Sequence, residues 1–273
     1  MRVVSLSSRK GGAGKSTICV HIAVAAEAAG MATAIFDLDP QASAALWADH
    51  RGEPIPAVVP AQAPRLKSLL KQALDGGADL VLLDTPPHAD GVSADAGAVA
   101  DAILIPCRPS AFDLDAIGAT VRLGQASKKP CWVVINAAPT QGSEVAETRR
   151  ALETAGVQVS PVVIHQRKAF SSRAHQGRTA GEIEPEGKAA SEIVALLKWL
   201  SSVIGLPASQ GNEVAGDPAP RLPRQQSPEI AAPPNSKVVK SPVGAVPDRS
   251  ATKLPRSPAT KVAGHQNSEL ARG

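Results

Sequence analysis

Apolar and polar positions in the first 205 residues follow two alternating rhythms. Short, nearly continuous apolar runs at 2–7, 32–37, 80–84, 102–106, 131–136 and 159–164 read as strands covered on both faces, with a weaker candidate at 57–59. Between them the apolar residues recur at helical spacing, which predicts helices over 15–29, 41–48, 65–75, 114–127, 143–155 and 187–203. In the last of these Ile193, Leu196, Leu197, Leu200 and Ile204 share one face, so this helix is expected to pack on the sheet and close the domain. Strand and helix in strict alternation predict an α/β fold, a doubly wound, mostly parallel sheet with helices on both faces.

The pattern stops near Gly205. Residues 206–273 hold 11 of the 24 prolines and no aromatic residue, so they lack the apolar surface needed to offset the entropy of ordering. The chain therefore divides into a domain over 1–205 and a Pro-rich tail over 206–273, expected to be disordered. Charge divides at the same place. Residues 1–205 carry 20 basic and 20 acidic side chains, and the net +4 comes from nine basic and five acidic residues of the tail. Global charge thus gives no argument for nucleic-acid binding.

Three widely spaced cysteines, Cys19, Cys107 and Cys131, form neither a disulfide framework nor a zinc motif. The first residues hold too short an apolar run for a signal peptide, and no run approaches the roughly 20 residues that span a bilayer. A cytoplasmic protein without a membrane partner is expected.

The chemistry concentrates where the first strand ends. Ser8-Arg9-Lys10-Gly11-Gly12-Ala13-Gly14-Lys15-Ser16-Thr17 joins a strand to a helix, the setting in which glycines let backbone N–H groups turn around phosphates and a helix N-terminus adds its dipole. Lys15 is suited to the β and γ phosphates and the Ser16 hydroxyl to Mg²⁺. The strict phosphate-loop rule calls for glycine at position 9, where this chain has arginine. A second lysine, Lys10, stands directly before the glycine pair. Asp37-Leu38-Asp39-Pro40-Gln41 follows the second strand, and Leu82-Leu83-Asp84-Thr85-Pro86-Pro87 ends a later one. Each lies at the C-terminal end of an expected parallel strand, where open α/β sheets bind ligands.

Lys10 through Thr17 resembles the deviant Walker A motif of the ParA/MinD family of P-loop ATPases. The two aspartate segments resemble its Asp-x-Asp-Pro-Gln and Walker B motifs, and Ile103–Ser110 resembles its Pro-x-x-Pro segment. The likeness extends through Arg167-Lys168, Gly177-Arg178-Thr179 and Gly187–Ile193, covering about residues 1–204 and most similar to the small ParA partition proteins.

The resemblance implies ATP and Mg²⁺ as cofactors. Lys10, Gly11, Gly12, Ala13, Gly14, Lys15, Ser16 and Thr17 would cradle the nucleotide, and Asn136 would contact adenine, although a turn role suits that asparagine equally. Ser16, Asp37 and Asp84 would serve the metal, while Lys10, Lys15 and Asp39 would act in hydrolysis. Lys10 would reach the nucleotide of a second copy, implying an ATP-sandwich homodimer whose turnover is weak without partner and DNA. Family partners would be a ParB-like adaptor and non-specific DNA, giving a nucleoid-associated protein that segregates a plasmid or chromosome.

Arg167, Lys168, Arg173, Arg178, Lys188 and Lys198 form the candidate DNA face, among glutamates that could equally pair them. Phe170 and Trp199 are expected in the core. The same motor could position another cargo: a division site, carboxysome, chemoreceptor array or conjugation machine. An ATP-dependent ligase of this fold is a further alternative in which Lys10 has no evident use. A tyrosine autokinase is excluded, because the chain contains no tyrosine.

Overall fold

The computed structural model describes residues 1–109, 118, 121–122 and 126–206. Six strands, β1 (Arg2–Leu6), β2 (Thr33–Asp37), β3 (Ala57–Pro60), β4 (Leu80–Asp84), β5 (Ala102–Cys107) and β6 (Cys131–Ile135), form one sheet in the order β3-β2-β4-β1-β5-β6. All neighbours run parallel. Parallel strands require crossovers, and the helices α1 (Lys15–Ala28), α2 (Ser43–Arg51), α3 (Leu66–Asp75), α4 (Asp90–Val99), α5 (Glu144–Thr154), α6 (Ala180–Ile183) and α7 (Lys188–Ile204) flank the sheet.

Strand residues alternate between two cores, as the pleat dictates. Val4, Leu6, Ile35, Leu80, Leu82 and Leu104 meet Ile18, Ile22 and Ala26 of α1 and the apolar stripe of α7 on one face. Val3, Phe36, Val81 and Leu83 meet Leu66, Leu69 and Ala73 of α3 and Ala96 of α4 on the other. Few aromatic residues are needed, since the alanines of α1, α3 and α4 bring the helices close to the sheet.

The expected segment 159–164 is not a strand. It follows β6 through only two isolated bridges, Val133 with Val159 and Ala138 with His165. Pro161 sits between them and has no N–H to donate to the ladder. Pro106 is tolerated inside β5 because alternate residues bond alternate neighbours, and its side of the strand lies beyond the last pairing with β1, at Leu6 and Leu104. Helix α4 is absent from the sequence reading, since Asp90-Gly-Val-Ser-Ala-Asp-Ala-Gly-Ala-Val offers two glycines and no strong apolar stripe. Most of the expected helix at 114–127 lies outside the described residues; within it Gly118, Val121, Arg122 and Ala126 are helical. The tail also lies outside them, apart from Leu206, which is buried in the α1–α7 core.

Candidate nucleotide-binding site

Register brings the sequence motifs together. Leu6 of β1 pairs with Asp84 of β4, and Asp84 with Asp37 of β2, so the phosphate loop and both aspartates stand level at the C-terminal edge of three adjacent strands. Chain order also changes side here, because β2 and β4 lie on one flank of β1 and β5 on the other. Ligands of open α/β sheets bind at this switch point.

Within the loop Gly12 and Gly14 have positive φ (72° and 96°). A Cβ on Gly11 or Gly12 would meet no heavy atom within 4 Å, so the loop faces open space there, whereas one on Gly14 would collide with the Asn136 carboxamide. Gly14 directly precedes α1, and its carbonyl accepts from the Ile18 N–H at 2.9 Å. Lys15 is buried, with Nζ 3.4 Å from the Ser8 carbonyl oxygen. Burial holds its pKa below the usual lysine value, against the pull of the Asp84 and Asp39 carboxylates.

Asp84 is fully buried, and neither carboxylate oxygen has a well-formed hydrogen bond among the described residues. Burial pushes its pKa up to about 7, with the carboxylates of Asp37 and Asp39 adding to the rise and the Ser16 hydroxyl and Lys15 ammonium opposing it. A buried carboxylate with a serine hydroxyl beside it and no well-formed hydrogen bond fits the shell of a divalent cation, whose remaining ligands would be waters and phosphate oxygens. Among the described residues no group of three or more His, Cys, Asp or Glu is placed to hold a metal ion.

Asp37, expected in the magnesium network, lies beside Asp84 but uses its oxygens otherwise. Oδ2 accepts from the Ala44 and Ala45 N–H groups at 2.9 and 3.0 Å, and Oδ1 from the Asp39 N–H at 3.1 Å. It therefore holds the N-terminus of α2. Burial raises its pKa against these bonds. Asp39 folds its loop into a turn, Oδ1 accepting from the Gln41 N–H at 2.9 Å and its carbonyl from the Ala42 N–H at 2.8 Å. Ala42 pays for that turn with a φ of 51°. Lys10 is half-buried, its N–H directed at the Ser8 Oγ at 3.3 Å. Arg9, in the position of the missing glycine, pairs with Asp90 at the start of α4 at 3.5 Å. Asn136 reaches the loop from the end of β6, Nδ2 donating to the Ala13 carbonyl at 2.7 Å.

The candidate DNA face is only partly a set of unpaired cations. Arg167 donates twice to Glu192, at 2.6 and 3.1 Å, and Arg178 pairs with Glu53 at 3.0 Å and Glu182 at 3.3 Å. Lys168, Arg173, Lys188 and Lys198 are exposed and form no ion pair among the described residues. Phe170 meets His21 edge-on at 5.0 Å and Trp199 meets Trp132 at 5.4 Å, the packing positions expected of them. Cys19 and Cys107 are buried, Cys131 is half-buried, and none of the three is in a disulfide among the described residues; burial pushes the Cys131 thiol up to about 11.

Two residues absent from the sequence reading tie this basic segment to the site. Arg51, buried at the end of α2, binds Glu53 at 2.7 Å, Glu182 at 2.8 Å and the carbonyls of Ile55 and Gly177 at 2.9 and 3.0 Å, and covers the Trp47 ring. His21, one turn after Thr17, bridges the Thr17 carbonyl at 2.7 Å and the Ala180 N–H at 3.1 Å. Those contacts make Nδ1 the donor and Nε2 the acceptor, and burial holds its pKa down to about 4. An arginine in a last helical turn and a histidine on a buried helix face carry no motif that could reveal either bridge.

Residues 4–180 match the CobQ/CobB/MinD/ParA nucleotide binding domain, about two thirds of the chain. The chain belongs to that family. Among its members the chain is 33% identical over 199 residues to the Maintenance of carboxysome distribution protein A of Gloeobacter kilaueensis, covering 71% of this chain and 89% of that protein. It is 35% identical over 118 residues to Protein ParA of Rhizobium radiobacter, covering 41% of this chain and 51% of that protein. The fold matches the septum site-determining protein MinD of Pyrococcus horikoshii OT3, solved with Mg-ADP, at a TM-score of 0.60 and 19% identity over 75% of this chain and 97% of that one. As a member of this family the chain carries its nucleotide-binding domain. Among the described residues no helix is long and apolar enough to cross a membrane.

Proposed function

We propose that residues 1–205 act as a ParA-type ATPase that dimerises around ATP, holds DNA without sequence preference and uses hydrolysis to release it, thereby moving or spacing a cargo. One observation carries this reading: Lys10 and Lys15 follow β1 in one loop, level at the sheet edge with Asp84 and with Asp37, two residues before Asp39. In it Lys15 and the loop amides would bind the phosphates, Ser16 and Asp84 would hold Mg²⁺, and Asp39 would orient the attacking water. When bound, Mg²⁺ would neutralise phosphate charge. Asp37 acts through its hold on α2. Lys10 completes the site of a second copy, so an isolated protomer turns over slowly. The Mg-ADP of the Pyrococcus protein supports these cofactors.

Lys168, Arg173, Lys188 and Lys198 are the cations offered to DNA phosphates, and the chain would reside on the nucleoid. For cargo, likeness over 89% of a carboxysome distribution protein supports positioning of a large body, while likeness over half of a ParA supports replicon partition with a ParB-like adaptor.

The test is binding to a random-sequence duplex with ATP, ADP or no nucleotide across a salt series. ATP-dependent binding that weakens with salt by about 0.9 log units per log unit for each phosphate contacted, and is lost in Lys10→Ala, is expected. Nucleotide-independent behaviour sinks the DNA switch. In the host, loss of replicon retention on deletion would decide for partition, and clustered carboxysomes with normal retention for positioning.

A further inference from the structure

Asn136 is reached by the chain 123 residues after the loop it touches. Its N–H donates to the Cys107 carbonyl at 2.7 Å, and two residues later the Ala138 N–H donates to the Ile164 carbonyl at 3.1 Å, so the sheet edge fixes its backbone. Its side chain is buried against the phosphate loop, where Nδ2 meets the buried Ala13 carbonyl and fills the space a Cβ on Gly14 would need. Only the amide nitrogen is a sound partner for a carbonyl, which settles the orientation of the carboxamide.

From this contact we propose that Asn136 is a positioning residue for the phosphate loop: by holding the Ala13 carbonyl it aims the Gly14 N–H at the bound phosphates. The inference rests on the reading of this loop as the nucleotide site. A trans peptide is planar, with C=O and N–H on opposite sides, so a carbonyl pinned toward Asn136 turns the Gly14 N–H away from it. Gly14 stands just before α1, where its N–H has no acceptor in the helical ladder and is available to an anion. Glycine and asparagine are thus a fitted pair. The asparagine supplies from the rigid sheet a constraint that a glycine-rich loop cannot supply for itself. A residue in this role serves the phosphates whatever base they carry.

Inorganic tripolyphosphate, ATP and GTP separate this role from a contact to adenine. With Mg²⁺ and the full chain, titration calorimetry should show Asn136→Ala weakening tripolyphosphate and ATP by the same factor, about tenfold for one buried hydrogen bond, with the ATP-to-GTP preference unchanged. Asn136→Asp, which sets a carboxylate oxygen against the Ala13 carbonyl, should lose at least as much for both ligands. Should Asn136→Ala fail to fold, Asn136→Ser is measured against the same criterion. Unchanged tripolyphosphate affinity in these variants, or a collapsed ATP-to-GTP preference, overturns the proposal in favour of a base contact. A wild-type chain that binds none of the three ligands overturns the nucleotide reading itself.

Discussion

At the scale of single residues, the site is built from groups that folding alone would not retain. Asp84 is buried with the Ser16 hydroxyl beside it and no well-formed hydrogen bond, and Gly14 occupies a conformation closed to most side chains. Gly14→Ala should therefore abolish nucleotide binding, measured by titration with a fluorescent ATP analogue, since it combines a φ of 96° with a collision against Asn136. Titration of the ligand-free chain yields a second expectation. Asp84 has a pKa of about 7 against an unfolded value of 3.8, so the native state binds the extra proton and stability falls as pH rises through that interval. His21 has a pKa of about 4 against 6.5, so the unfolded state binds the extra proton and stability is lost as pH falls through its interval. The effects are on the order of 4 kcal/mol for Asp84 and about 3 kcal/mol for His21, and they oppose one another. Urea melts of Asp84→Asn without nucleotide should show higher stability near neutral pH and a steeper loss toward pH 4, while nucleotide binding in Mg²⁺ declines. Equal pH profiles for variant and wild type would refute the burial account.

Elements carry the connection between the sheet edge and the basic segment. Asp37 grips the start of α2, and Arg51 at its end grips Glu53, Glu182 and Gly177; α1 makes the parallel link through His21 to Ala180 and Phe170. Arg51 is nearly buried while its carboxylate partners remain partly solvated, so Arg51→Ala should destabilise the domain by about 2–3 kcal/mol in urea melts, with Arg51→Lys recovering only a part. A lysine has one point charge and cannot hold two carboxylates and two carbonyls at once. Amide exchange of residues 174–183 should accelerate in Arg51→Ala well before global unfolding. Protection equal to wild type would show that the segment is held by α7 alone.

Across the whole molecule, a folded unit ending near residue 205 remains the expectation, and Leu206 bears on where it stops. Leu206 is 7% exposed and packs with α1 and α7, so it belongs with the domain. A chain ending at Leu206 should keep the melting temperature and nucleotide affinity of the full protein, whereas one ending at Gly205 should lose about 1–2 kcal/mol with that side chain. Equal melting temperatures for the two truncations would place Leu206 outside the cooperative unit.

Sequence alone determined the strand–helix alternation, the parallel sheet and the three motifs at strand ends. These are contiguous or periodic signals: a covered parallel strand needs a continuous apolar run, and a phosphate loop needs glycines and a lysine in unbroken order. Pro161 could have warned against the strand at 159–164, but apolar character concealed it, and α4 lacked any stripe to announce it. Tertiary structure decided what depends on distance along the chain. Asn136 meets Ala13 across 123 residues and Arg51 meets Gly177 across 126, and Arg167 finds Glu192 and Arg178 finds Glu53 through folds that no local spacing encodes. Burial, too, is a property of the assembled cores, which is why an aspartate legible as a strand-end carboxylate became one with a pKa near 7 only when the sheet and α1 closed around it.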